Sequence, residues 1–125
     1  MRAFRIAAAA AVIATAAIAP AVAQEKPLET YYARLSAQDH FNSQGRRLTT
    51  AAAIIRQDRA NFHRFNRRDI EDESDRFFRV AENRARLEAL IAEGSSTSDA
   101  LSRVVNAEPL VRVEIYDNYV NVLVY

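Results

Sequence analysis

The chain has 125 residues, half of them hydrophobic, with 17 basic and 16 acidic side chains and no cysteine. That length suits one domain with a modest core and is too short for two. Without thiols, disulfides, a lipid anchor on an N-terminal cysteine, and zinc or iron–sulfur centres built on thiolates are all excluded, so packing alone must stabilise the fold.

The N-terminus reads as an export signal. Arg2 and Arg5 give a positive start, and Ile6–Ala19 is apolar apart from Thr15. Pro20 breaks the run, and Ala21-Val22-Ala23 has the small-x-small form of a signal-peptidase site. The apolar run of 14 residues falls short of the roughly 20 needed for a membrane-spanning helix. The two arginines are not adjacent, so a twin-arginine signal is absent and export of the unfolded chain is expected. Residues 1–23 are therefore expected to be a cleaved signal peptide, and 24–125 a single small domain, periplasmic or secreted, with no transmembrane span after cleavage. Removing Arg2 and Arg5 leaves 15 basic and 16 acidic side chains. The isoelectric point near 8.1 thus belongs to the precursor and does not argue for nucleic acid as a partner. Lys26 is the single lysine beside 16 arginines, a bias of genome composition more than of function.

Residues 24–27 read as a flexible start. Leu28, Tyr31, Tyr32 and Leu35 have helical spacing, which predicts a short helix over about 28–38. His40 to Gly45 reads as a connection in which Gly45 takes a left-handed conformation. Leu48, Ala51, Ala52, Ile55 and Phe62 form one stripe of an amphipathic helix over about 48–65, widened by Ile54 and Phe65, with Arg56, Gln57, Ala60 and Arg64 pointing away. Asn66 to Asp75 is a polar interruption. Ser74 is placed to cap a helix running to Glu93, with Gly94 as its stop, and Asp72, Glu73 and Asp75 suit its N-terminal end. On that helix Arg84 and Glu88, and Glu82 and Arg86, have the spacing of ion pairs. Ser98 is placed to cap a short helix over Asp99 to about Ala107, with Leu101, Val104 and Val105 inward.

Beyond Pro109 the period changes to two. A turn at Asp117-Asn118, both tolerant of positive φ, pairs Tyr116 with Tyr119, Ile115 with Val120, Val113 with Val122, and Val111 with Val124. Six aliphatic β-branched residues then share one face, and Arg112, Glu114, Tyr116, Tyr119, Asn121 and Leu123 share the other. The fold class predicted is α+β: a signal peptide followed by three or four helices packed on a C-terminal antiparallel β-hairpin. The hairpin's edges stay open to a further strand in this reading.

Few residues point to chemistry. Between 46 and 68 seven arginines stand beside one acid, Asp58; then Asp69, Glu71, Asp72, Glu73 and Asp75 follow without a base. Guanidinium forks bind phosphate or carboxylate, which makes Arg64, Arg67 and Arg68 candidate contacts for an anion or a partner. The rival reading is a solvated helix end whose basic and acidic blocks neutralise each other. The acidic run does not fit a calcium loop, because Ser74 and Ala81 stand where glycine and glutamate are required. His40 and His63 are the only histidines, and neither has a motif-like nucleophile or second ligand nearby in sequence. No cofactor is expected. Tyr116, Tyr119 and Asn121 are candidates for a strand-edge interaction. The function expected is an exported, non-enzymatic interaction or structural module of the periplasm or envelope, partnered by an envelope protein or by its own copies. The alternatives are a small enzyme using a histidine with a carboxylate, and a binder of anionic ligands.

Overall fold

The computed structural model describes residues 2–4, 6–17 and 25–125. Pro20 and the Ala21-Val22-Ala23 cleavage signal lie outside them. Among the described residues no helix is long and apolar enough to cross a membrane.

The sheet has three antiparallel strands, β1 (Glu29–Arg34), β2 (Leu110–Ile115) and β3 (Val120–Val124), in the order β1-β2-β3. Between β1 and β2 run α1 (Ala51–His63), α2 (Ala81–Ala85), α3 (Leu87–Glu93) and α4 (Ser98–Asn106). The C-terminal hairpin has the expected register: Ile115 opposite Val120, Val113 opposite Val122, and Val111 opposite Val124. The turn differs in one respect. Neither Asp117 nor Asn118 has positive φ, and Tyr116 N–H closes the turn on Tyr119 O at 2.9 Å.

The first element is a correction. Residues 29–34 form a strand, not a helix, and Tyr31 sits opposite Val113 on β2. Tyr31, Ala33 and Leu35 are fully buried, an alternation that the helical spacing of Leu28, Tyr31, Tyr32 and Leu35 masked. Short apolar runs fit either period, and here the exposed edge of β2 decides between them. The hairpin is therefore the C-terminal two-thirds of a larger sheet. A single 3-10 turn at Ala37–His40 follows, and Gly45 (φ 78°) lies in the left-handed region as expected.

One face of the sheet carries the core. Tyr31, Val111, Val113, Ile115, Val120 and Val122 pack against Ile54 and Ile55 of α1, Phe78, Leu87 and Leu90, and Val104 of α4. Val113→Ala should cost about 1–2.5 kcal/mol in equilibrium denaturation, from lost apolar area and a partial cavity. Asn121→Ala should cost about 1 kcal/mol, because Asn121 Oδ1 accepts the Ser95 N–H at 2.7 Å. Greater damage from the asparagine change would be inconsistent with this register.

The helix expected from Ser74 to Glu93 is broken into a 3-10 turn at Phe77–Arg79, then α2, then α3, with Arg86 between the last two. Tertiary hydrogen bonds hold the segment's start away from helical geometry. Glu29 accepts the Arg76 and Phe77 N–H groups, and Asp75 Oδ2, not Ser74, accepts the Phe78 N–H. The expected Arg84–Glu88 and Glu82–Arg86 pairs are not formed. Arg84 Nη1 instead donates to the carbonyls of Phe78 (2.8 Å) and Arg79 (3.1 Å). Thr97 rather than Ser98 caps α4, its Oγ1 accepting from Ala100 N–H.

Loops engage both sheet edges. On β1, Tyr32 N–H donates to Glu73 Oε1 and Tyr32 O accepts from Glu73 N–H, while Arg34 N–H donates to Asp72 Oδ1. On β3, Val122 N–H donates to Ser96 Oγ at 2.8 Å. Loop polar groups thus occupy sites where another strand would pair.

Candidate anion-binding surface

Helix α1 sorts the charges of the segment into two populations. Its inner face carries Asp58, Arg59 and Asn61 among Ile54, Ile55 and Phe62, all buried. Arg59 has no exposed surface. Its guanidinium stacks 4.0 Å from the Tyr31 ring centroid and 4.6 Å from that of Phe62. Its Nε donates to Asp58 Oδ2 at 2.8 Å, and its Nη1 to Asp75 Oδ1 at 3.0 Å and Glu73 O at 2.9 Å. His63 Nε2 also lies 2.8 Å from Asp75 Oδ1. Burial raises the Asp58 carboxyl and the Tyr31 phenol well above their ordinary pKa values. Burial likewise raises Asp39 to about 6, against the hydrogen bonds it accepts from Asn61 and Ser36.

In the sequence Arg59 is only one of the seven arginines between 46 and 68, with no separate role assigned to it. A signal for its burial was present: Arg59 lies four residues after Ile55 and three before Phe62, inside the apolar stripe.

The acids of the run after α1 are engaged elsewhere. Asp72 and Glu73 bind the β1 edge, Asp75 binds Arg59, Asp69 accepts from Ser36 Oγ at 2.7 Å, and Glu71 pairs with Arg34 at 3.4 Å. Of these five acids, only Asp75 pairs with an arginine of the basic block, Arg59. Among the described residues Arg56, Arg64, Arg67, Arg68 and Arg84 form no ion pair.

Asn66, with φ of 53°, closes α1 in a left-handed conformation, and Arg67 N–H returns to Asn61 O at 2.7 Å. This turn splays the three arginines singled out from the sequence. Arg64 borders a groove of about 380 Å³ that also includes Arg56, Arg84, Gln57, Asn42 and Phe65. Arg67 borders a neighbouring groove of about 300 Å³, lined also by Gln38, Phe41 and Asn61, on a wall shared at Phe65. Arg68 stacks 4.1 Å from the Phe62 ring centroid and lines neither. The structure thus brings Arg64 together with Arg56 and Arg84, two residues not singled out from the sequence. Burial lowers the Arg84 pKa, and repulsion from Arg56 and Arg64 lowers it further, outweighing the opposite pull of Asp75 and Glu82.

No protein-family model, curated protein or solved structure matches this chain.

The other candidates have defined places. His40 is buried, with its ring nitrogens 2.7 Å from Ser36 O and 2.9 Å from Val104 O, so it ties the 3-10 turn to α4. The His63 side chain is 6% exposed, and burial lowers its pKa despite the Asp75 contact. Among the described residues no three metal-ligating side chains converge. Tyr116 and Tyr119 stack at 4.4 Å between ring centroids, and Tyr119 O–H donates to Glu25 at 2.8 Å. Asn121 holds Ser95 through its main-chain N–H and its hydroxyl.

Proposed function

We propose that the protein is an exported, non-enzymatic interaction module of the bacterial periplasm or cell envelope, and that it engages an anionic partner through the arginine face around α1. The observation that carries this reading is the separation of charge just described. Among the described residues five arginines of one region have no ion pair, while the neighbouring acids are bound to the β1 strand, to Ser36 and to Arg59. A local field of this kind attracts anions even when the net charge of the whole protein is near zero. The export half of the reading stands on Arg2, Arg5, the apolar run and the Ala21-Val22-Ala23 site.

The enzyme alternative has less support. The one histidine–carboxylate ion pair among the described residues, His63–Asp75, is buried, and its carboxylate is already shared with Arg59. Neither residue lines the two grooves described beside α1.

The test has two readouts. Intact-mass analysis of the exported protein should find a species beginning at Gln24; one retaining Arg2 to Ala23 would contradict export with cleavage. That exported protein should co-sediment with vesicles bearing phosphatidylglycerol at low ionic strength and be released at high salt. Replacing Arg64, Arg67 and Arg68 together by Gln should reduce retention. No retention of the wild-type protein at low salt would remove the anionic-partner reading.

A further inference from the structure

We propose that the groove between α1 and α2 is a discrete binding site for a phosphate group, held by Arg56, Arg64 and Arg84. The proposal deepens the anionic-partner reading and rests on it.

Helix α1 supplies the floor and one wall. Ala53, Gln57, Ala60 and Arg64 follow one another at intervals of three or four residues, so they form a continuous stripe. The alanines keep the floor shallow, and Arg56 and Arg64 rise as exposed side chains along it. The Arg64 guanidinium lies 5.0 Å from the Phe65 ring centroid, which gives it a surface to rest on.

Arg84 supplies the opposite wall from α2 and differs from an ordinary surface arginine. It is 8% exposed, and main-chain carbonyls rather than an acid fix its position. Its positive charge is thus held in place and partly removed from water, and it borders the same space of about 380 Å³ as Arg56 and Arg64. Bringing three guanidinium groups together is unfavourable: Arg56 and Arg64 add to the burial that lowers the Arg84 pKa, against the opposite pull of Asp75 and Glu82.

The ligand class follows from that arrangement. Donors approach from two walls, which suits a tetrahedral oxyanion with several terminal oxygens better than a planar carboxylate held by one fork. The groove has room for a phosphate together with a small organic body, so the ligand is a phosphate ester. Its source is a soluble phosphomonoester, with three terminal oxygens, or a phosphodiester lipid headgroup, with two, and both present a tetrahedral phosphate oxyanion to the three arginines.

Isothermal titration of the exported protein with glycerol 3-phosphate, and co-sedimentation with phosphatidylglycerol vesicles, separate the sources. Both are run at low salt. The expected result is saturable binding of at least one probe, weakened tenfold or more in Arg56→Gln/Arg64→Gln. Arg67→Gln/Arg68→Gln should change the same binding less than twofold. All four side chains lie outside the packed core, so thermal denaturation of both variants should match wild type and the comparison does not depend on altering Arg84. Saturable binding of glycerol 3-phosphate assigns a soluble ligand; binding confined to vesicles, with the same dependence on Arg56 and Arg64, assigns a headgroup. Equal weakening by the two double variants overturns the discrete site while leaving a diffuse anionic-partner reading intact. Failure of the wild-type protein to bind either probe overturns both.

Discussion

Arg59→Met should destabilise the protein by about 3–5 kcal/mol, a large part of the total stability of a domain this small. Methionine preserves much of the apolar stem and leaves the Tyr31 and Phe62 rings with a neighbour. It removes the charge that faces Asp58 at 2.8 Å and Asp75 at 3.0 Å, and both carboxylates are buried. Breaking one member of a buried charged group costs more than the group contributes when intact, because Asp58 is left buried without its cation and Asp75 keeps only His63 and the Phe78 N–H. Arg59→Lys should recover only part of the loss, since one ammonium on a flexible stem does not reproduce a planar fork that meets Asp58, Asp75 and the Glu73 carbonyl together. Adding Asp58→Leu to Arg59→Met should restore stability relative to the single variant by relieving one uncompensated acid. Urea denaturation of the three variants tests this. A loss below about 1 kcal/mol for Arg59→Met would mean that the guanidinium is not the centre of the buried network.

Gly94→Ala should cost about 3 kcal/mol, near the upper end for overpacking a tight site. Gly94 has φ of −85°, so alanine meets no backbone strain there, and the loss of chain freedom in the unfolded state even favours alanine. The obstacle is steric. A Cβ on Gly94 would lie 2.1 Å from Val120 O and 2.7 Å from Asn121 Oδ1. Relief requires moving β3, and with it the Val122–Ser96 and Asn121–Ser95 hydrogen bonds. Gly45→Ala is the control with the opposite cause. Gly45 has φ of 78° and open space around its Cα, so its change should cost about 1 kcal/mol through conformation alone. Thermal or urea midpoints of the two variants make the comparison, and equal losses would show that the α3–β3 contact is looser than it stands here.

Gly94 was legible as a helix stop and illegible as a contact. Its place after Glu93 follows from local helix-ending chemistry, whereas its approach to Val120 depends on where β3 lies. The arginine face divides in the same way. Arg64, Arg67 and Arg68 stand out by composition, but the turn at Asn66 sends them to different surroundings. Arg84 joins Arg56 and Arg64 only because the segment after Asp75 is bent away from one continuous helix. The acids from Asp69 to Asp75 looked like partners for those arginines or like helix caps. The role of Asp72 and Glu73, satisfying the outer edge of β1, presupposes a strand whose identity itself depends on β2.

The sequence by itself determined the features that rest on neighbours within one or two turns of chain. These are the amphipathic stripe of α1, the left-handed Gly45, the short α4 and the complete register of the β2–β3 hairpin, where a two-residue turn and alternating valines leave one face to bury. Tertiary structure alone decided the strand at Glu29–Arg34, the closure of that strand by Asp72 and Glu73, and the burial of Arg59. In each of these a polar or ambiguous segment takes its form from a partner distant in sequence. A charge becomes a core residue only when opposite charges and aromatic faces meet it there, and a strand edge closes only where a loop brings donors and acceptors to it.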